Sequence, residues 1–209
     1  MGIEIKEWLS GRPILGDFIR PIDRTAPEGS LRISTTTIDK RIVQPLDVIE
    51  VTLSGYANDP NHPEDWIVVN QAFQWRHIME LPVEALQLVP HSSEDIWGQD
   101  HAIEPGKFSS SVQIIEITAP ISIRAFWDNS QWGTRLARKL YLNNRAISIT
   151  DPIFTQKHEL NTIEAPDRKE LQIPAGSFIV LSLTPPFTPM NSTIEKQYRV
   201  VATIIENDA

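Results

Sequence analysis

The sequence predicts an all-β protein with two short helices, built as two small five-stranded barrels in tandem. Sixteen prolines spread along 209 residues disfavour long helices and favour short strands joined by turns. Apolar and polar residues alternate with a period of two in several segments, which is typical of half-buried strands. The length accommodates two domains of about 100 residues each. We therefore place the first barrel at 1–119 and the second at 120–209, with Pro120 at the boundary.

The second half supplies the clearer order of elements. Alternation predicts strands at 121–125, 136–142 and 145–150, with a tight turn at Asn143 and Asn144. Asp151 suits a helix N-cap and Pro152 suits the first helical position, which predicts a short helix from Pro152 to about Leu160. After a polar loop, two further strands are predicted at 177–183 and 197–205. Three strands, a helix and two strands is the element order of an OB-fold.

The first half is less regular. We expect strands at 17–22, 47–53 and 66–69, helical spacing at 81–88, and a closing strand at 111–118. One helix after several strands and before another is again compatible with a small barrel.

Composition excludes several classes of protein. The chain has no cysteine, which excludes disulfides, thiolate metal sites and Cys nucleophiles, and is typical of a reducing cytosol. No apolar stretch approaches the roughly 18 residues of a membrane span. We expect a cytoplasmic protein that does not contact a membrane.

Catalytic motifs are also missing. The sequence contains no phosphate-cradling Gly-rich loop, no Gly-x-Ser-x-Gly elbow and no His-Glu-x-x-His pair. Its five histidines lack the spacing of metal ligands. We expect no enzymatic activity, no cofactor and no metal site.

Charge is distributed unevenly. The formal net charge is −8, which disfavours a protein that coats nucleic acid non-specifically. Residues 1–119 hold nine Lys/Arg against eighteen Asp/Glu, whereas residues 120–209 hold ten against nine. Residues 129–150 contain four cations and no acid, and these cations are Arg135, Arg138, Lys139 and Arg145. This stretch indicates either a solvated hairpin or a basic binding surface.

Aromatic residues lie in and beside the basic stretch, at positions that OB-folds use to bind nucleic acid. Such folds bind on strands two and three, beside the loops that join strands one to two and four to five. The first of these loops carries Trp127 and Trp132, the second carries Phe187, and strand two carries Tyr141. Bases stack on aromatic rings while cations follow the phosphates. The alternative is that the two tryptophans plug the barrel and Tyr141 pairs across strands.

Short motifs along the chain resemble the dual OB-containing domain found in bacterial defence and conflict gene neighbourhoods. In the first half they are Phe-Ile-Arg-Pro-Ile at 18–22, Pro-Leu-Asp-Val-Ile-Glu-Val at 45–51, His-Pro-Glu-Asp-Trp at 62–66 and Glu-Asp-Ile-Trp-Gly at 94–98. In the second half they are Ile-Thr-Asp-Pro-Ile-Phe at 149–154, Leu-Ser-Leu at 181–183 with Pro-Phe at 186–187, and the closing strand at 198–205. The resemblance covers nearly the whole chain from about residue 14.

Two departures accompany the resemblance. Residues 6–15 are short and divergent where the family opens with a longer strand, so a standard first strand of the first barrel is left open. Pro185 stands where the family has Glu before Pro186. The shared first-half motifs contain Arg20 and Trp66; Arg20 is interpreted either as a phosphate contact or as an ion-pair partner of Glu64 or Asp65.

The resemblance implies a two-barrel fold and a role in nucleic-acid or nucleotide sensing. Our first hypothesis is a non-enzymatic accessory protein of a bacterial defence system whose second barrel binds single-stranded nucleic acid or a nucleotide. The alternative is a protein–protein adaptor that docks a partner from its own operon on the acidic first barrel.

Overall fold

The structure is a computed structural model that describes the chain in two compact units. It describes residues 1–209 except 27–28, 30, 32–35, 70–74, 90–95, 97–101, 131–132, 143–144, 191 and 208–209. The first unit comprises Met1–Glu94 and Gly106–Ser111, and the second comprises Asp95–Pro105 and Val112–Ala209. Strands dominate both units, which confirms the all-β class. No helix in the described ranges is both long and apolar enough to cross a membrane.

The described part of the first unit contains eight strands and one short 3₁₀ helix. The strands are β1 (Gly2–Leu9), β2 (Arg12–Ile22), β3 (Thr37–Ile38), β4 (Arg41–Ile42), β5 (Asp47–Glu50), β6 (Leu53–Tyr56), β7 (Asp65–Val68) and β8 (Arg76–Glu80), followed by a 3₁₀ helix at Val83–Leu88.

The main sheet of the first unit has the order β1-β2-β7-β6. β1 and β2 form an antiparallel hairpin, β2 pairs in parallel with β7, and β6 and β7 are antiparallel. Ser10 and Gly11, with φ of 51° and 80°, form the two-residue turn of the hairpin. Two positive φ values in succession suit the right-handed twist of a hairpin, and glycine adopts them without strain.

Two first-half expectations change in the structure. The strand expected at 47–53 is divided into β5 and β6, which pair with different partners, β8 and β7. The first strand that the divergence at 6–15 left open is present as β1, and 6–15 form the turn end of the β1–β2 hairpin.

The second unit contains longer strands and one α-helix. Its elements are β9 (Ala102–Ile103), β10 (Val112–Glu116), β11 (Ile121–Ser130), β12 (Gly133–Leu142), β13 (Arg145–Ile149), α1 (Pro152–Lys157), β14 (Arg168–Ile173), β15 (Phe178–Leu183) and β16 (Gln197–Ile205).

These strands form one sheet with the order β10-β15-β16-β13-β12-β11-β14, and β9 pairs with β16. β13 and β16 are parallel, whereas the other neighbours are antiparallel. Residues 117–120 connect β10 directly to β11 along the chain. β10 and β14 are the end strands of this sheet.

One apolar cluster fills the second unit. It is formed by buried side chains of β11, β12, β13, β14, β15 and β16 together with Ile117, Phe154 and Leu160. Every residue of β15 is buried. Burial on both faces explains why β15 reads as a continuous apolar run rather than an alternating one.

The structure confirms Asp151 as the N-cap of α1. Asp151 Oδ1 accepts hydrogen bonds from the backbone nitrogens of Ile153 and Phe154 at 2.9 and 3.0 Å. The Oδ2 of the same carboxylate accepts from Ile204 N of β16 at 2.9 Å, so one buried side chain joins the helix to the sheet. α1 ends at Lys157, slightly before the expected end.

Two strands differ from expectation in the second unit. β10 pairs with β15 and so lies in the second unit, whereas the sequence analysis assigned 111–118 to the first. β14 occupies part of the expected polar loop and pairs with β11. Its apolar residues are Leu171 and Ile173, which follow three charged residues and are separated by Gln172. The alternation of apolar and polar residues is therefore short.

Candidate functional site

A polar and aromatic surface covers the outward face of β11, β12 and β14. Residues that lie opposite each other in a β-ladder share a face of the sheet. Arg124 lies opposite Lys139 on one side and Glu170 on the other, and Phe126 lies opposite Arg168. The apolar residues that alternate with them, such as Ile123 and Leu140, are fully buried on the other face. We call this outward surface, carried by Arg124, Phe126, Arg135, Lys139, Tyr141, Arg168 and Glu170, the outer face.

Aromatic and cationic side chains alternate along the outer face. The Arg124 guanidinium lies 4.9 Å from the centroid of the Tyr141 ring, a cation–π distance. Phe126 follows two positions further along β11, roughly 7 Å away at about 3.3 Å per residue. The rings of Tyr141 and Phe126 therefore stand on either side of the Arg124 row.

Glu170 is the acid that holds Arg124 in place. Arg124 Nη2 donates to Glu170 Oε1 at 3.3 Å, and Arg124 Nε lies 3.2 Å from Oε2 as an ion-pair contact. Both side chains are about half exposed, at 50% and 54%. An exposed pair contributes little to stability, so its effect is to orient the guanidinium over Tyr141.

A groove of about 840 Å³ is formed beside this surface by β11, β12, β14 and the loop before β14. Its lining combines aromatic rings with cations, and it consists of Arg124, Phe126, Trp127, Tyr141, Pro166, Arg168, Lys169 and Glu170. Three cations, one acid and three aromatic rings line this groove, so its chemistry combines stacking surfaces with positive charge.

Lys139 lies in a cationic environment. Its Nζ donates to Ser148 Oγ at 2.7 Å. Burial lowers the pKa of Lys139, the neighbouring Arg135 lowers it further, and Asp128 opposes both effects. A phosphate near Lys139 and Arg135 would relieve this repulsion.

Arg138 lies on the opposite face from Lys139, because neighbours in a strand alternate between faces. Its Nη1 donates to Asn161 Oδ1, and its Nε is buried. Trp127 Nε1 donates to Ile163 O at 3.1 Å. Both residues therefore hold the loop after α1, and the structure does not bring Arg138 together with the outer-face cations; Trp127 still contributes to the groove.

Other predicted site residues lie elsewhere. Arg145 is exposed but lies opposite Leu142, one position out of phase with Tyr141 and Ala146 of the outer face. Phe187 stacks on Tyr198 at 4.9 Å in the loop between β15 and β16 and is 49% exposed. Trp132 and the predicted turn at Asn143 and Asn144 lie outside the described residues.

Arg20 and Trp66 belong to the first unit. Arg20 Nε and Nη2 donate to the two oxygens of Asp65 at 2.5 and 2.7 Å, which joins the parallel strands β2 and β7. This is one of the two ion pairs that the sequence analysis considered for Arg20. The ring of Trp66 makes an edge contact with Tyr56 at 5.7 Å. Both residues therefore have structural contacts in the first unit.

Sequence reasoning missed four outer-face residues, and these are Arg124, Phe126, Arg168 and Glu170. The alternation at 121–125 was recognised, and its extension by one step would have placed Phe126 beside Arg124. Arg168 and Glu170 were assigned to a loop, so no face could be given to them.

A second polar cluster lies buried in the first unit. His62 Nδ1 is 2.8 Å from Ser111 Oγ, and Ser111 Oγ donates to Glu64 Oε1. The Ser111 backbone nitrogen donates to Glu64 Oε2 at 3.2 Å. Burial would raise the pKa of Glu64, but the hydrogen bonds of His62 and Ser111 outweigh it and lower that pKa. All three residues are at most 5% exposed, so the cluster is structural rather than a site open to substrate.

An OB-like sheet with an aromatic and cationic outer face defines a class of binding proteins. The family model described as the dual OB-containing domain matches residues 1–204. The chain belongs to this family, and its membership indicates a binding role. No curated protein and no solved structure matched the chain significantly.

Proposed function

We propose that the second unit binds single-stranded nucleic acid on the outer face. The observation that carries this proposal is the cation–π arrangement of Arg124 on Tyr141, with Phe126 in the next row and Lys139 and Arg168 beside them. Stacking on such rings is worth roughly 1–3 kcal/mol per base and tolerates any base. Unstacked bases of a single strand can reach a flat sheet face, whereas paired bases cannot.

The setting of this activity follows from the resemblance of the motifs. We propose a non-enzymatic accessory role in a bacterial defence or conflict system, in the cytoplasm. The acid-rich first half supports selective binding by the second unit over non-specific coating of nucleic acid.

Fluorescence anisotropy tests the proposal with labelled single-stranded DNA, single-stranded RNA, duplex and a mononucleotide. We expect micromolar or tighter binding of a single strand in low salt that weakens as salt rises. The double variant Lys139→Glu/Arg168→Glu should weaken binding in low salt by at least tenfold and reduce the salt slope by roughly two, since each phosphate contact contributes about one.

Arg145→Glu is the matched control, because it reverses one charge on the same hairpin but off the outer face. It should retain most of the affinity. Equal loss in the control and in the double variant would contradict the outer face as the site, and no binding in low salt would contradict the function itself.

The first unit favours a second candidate, a protein adaptor. Large apolar side chains are exposed on its β1–β2 hairpin, where Trp8 is 44%, Leu9 62% and Ile14 39% exposed. Exposed apolar residues at a strand edge are typical of protein contacts. Absence of nucleic-acid binding, together with tolerance of outer-face charge reversal in an assay of the reconstituted operon, would favour this candidate.

A further inference from the structure

The two units share one arrangement of four strands. The order β1-β2-β7-β6 matches β12-β13-β16-β15, since each consists of an antiparallel hairpin, a parallel pair and a second antiparallel hairpin. In the second unit β11 pairs with the outer edge of β12 from Ser122 to Ser130. In the first unit β1 ends its sheet, and no described strand other than β2 pairs with it. The strand position beside β1 is therefore open in the described chain.

The exposure of residues along β1 supports an open edge of the sheet at this strand. Gly2 and the residues from Lys6 to Leu9 are exposed, and Trp8 and Leu9 are 44% and 62% exposed. β1 pairs with β2 in one register before and after Ile5, because its two register shifts lie on either side of Ile5 and compensate each other. Glu4 and Lys6 lie on one face of the strand, since side-chain atoms of both approach the position where a Cβ of Gly16 would stand.

We propose that a second copy of this chain occupies this edge, with β1 pairing antiparallel to β1 about a two-fold axis at Ile5. This register places Ile5 opposite Ile5 of the second copy. It places Glu4 opposite Lys6 of the second copy, and the symmetry repeats that pair on the other side of the axis. Opposite charges directly across an antiparallel ladder stabilise it, and like charges destabilise it.

The ends of the strand fit the same register. It places Trp8 of each copy opposite Gly2 of the other. Nothing lies within 4 Å of the position where a Cβ of Gly2 would stand, so an indole ring has space to cover it. Aromatic side chains across from an edge glycine compensate for its missing side chain. The register therefore uses the exposed Trp8, the charged residues and the apolar centre together.

The interface is small. An edge-to-edge pairing of eight residues buries less than a standard protein interface, so we expect a weak dimer in the micromolar range. This inference concerns the first unit and does not depend on nucleic-acid binding by the second.

Sedimentation velocity over a concentration series tests the dimer, with any purification tag at the C-terminus. Lys6→Glu places Glu opposite Glu in both symmetric pairs, and Glu4→Lys places Lys opposite Lys. Each single variant should raise the dissociation constant about tenfold, because two cross-strand pairs change sign. The double variant Glu4→Lys/Lys6→Glu restores opposite charges and should dimerise like the original chain.

Arg12→Glu is the control, since it reverses a charge on the neighbouring strand β2, and it should leave the dissociation constant unchanged. Circular dichroism confirms that each variant is folded. A chain that stays monomeric at high micromolar concentration overturns the proposal, and so does a dimer in which the single and double variants behave alike.

Discussion

The two units bury different chemistry around the same arrangement of four strands. In the second unit one apolar cluster, with Leu140, Ile147 and Val201 among its members, is formed by six strands. In the described part of the first unit, the buried aliphatic side chains are Ile38, Val68 and Val89, while the buried polar ones are His62, Glu64, Asp65 and Ser111. The second unit also buries polar side chains, such as Asp151 and Gln197, but its large apolar core provides many interchangeable contacts. The described first unit has few buried apolar side chains, so its specific polar contacts are a larger share of its buried contacts.

This difference predicts that the largest loss of stability follows a change in the apolar cluster. Leu140→Ala removes a fully buried side chain at the centre of the second unit and should cost about 3–5 kcal/mol, because a cavity remains. Hydrogen exchange read by mass spectrometry should show faster exchange across β11, β12 and β13. Unchanged exchange there would mean that the cluster is not the main source of stability in this unit.

A smaller but still large loss should follow Asp65→Asn in the first unit. The Asp65 carboxylate is 5% exposed and binds both donors of Arg20, which is itself 22% exposed. Removing one charge leaves the other poorly compensated, so we expect a loss of about 2–4 kcal/mol.

The same exchange measurement checks Asp65→Asn, with faster exchange expected in β2 and β7. Arg76→Gln is a matched control, since it removes an ion pair with Glu50 in the same unit in which the two side chains are 71% and 59% exposed. A control that loses as much as Asp65→Asn would show that burial does not decide the cost.

Lowering the pH should destabilise the first unit through protonation of Glu64. Its pKa is lower in the folded state than its ordinary value of 4.5. The carboxylate therefore contributes stability that is fully present above the ordinary pKa. This stability is lost as the pH falls through the pKa of the folded state. Free energies of unfolding between neutral and acid pH should show a shallower acid dependence for Glu64→Gln than for the original chain. Parallel curves would contradict the role of the hydrogen bonds from His62 and Ser111.

The same contrast explains which parts of the fold were predictable from sequence. The strands at 121–125, 136–142 and 197–205 and the Asp151 cap follow from local patterns, and the structure confirms them. The contacts of Ser111 with His62 and Glu64 join residues nearly fifty positions apart, and no local pattern encodes them. The first unit was therefore harder to predict because polar contacts between distant residues define it.

The candidate site was only partly predictable for a related reason. Arg135, Lys139 and Tyr141 were identified from a stretch without acids, and the register places all three on the outer face. The same criterion included Arg138, because counting charge ignores the alternation of faces. Glu170 could not be found by looking for cations, although its contact with Arg124 orients the guanidinium at the centre of this face.

The smallest expected effect comes from Glu170→Gln, which makes a direct comparison with Asp65→Asn. Both acids form an ion pair with an arginine of a neighbouring strand, but Glu170 and Arg124 are about half exposed. Solvent screens such a pair, so unfolding in denaturant should show a loss of stability below about 1 kcal/mol.

The same substitution removes a negative charge from the outer face, which should tighten binding of single-stranded nucleic acid in low salt while leaving stability nearly unchanged. A large loss of stability would mean that the Arg124–Glu170 pair holds β11 and β14 together. Weaker binding would mean instead that Glu170 positions Arg124 for the ligand more than it repels phosphate.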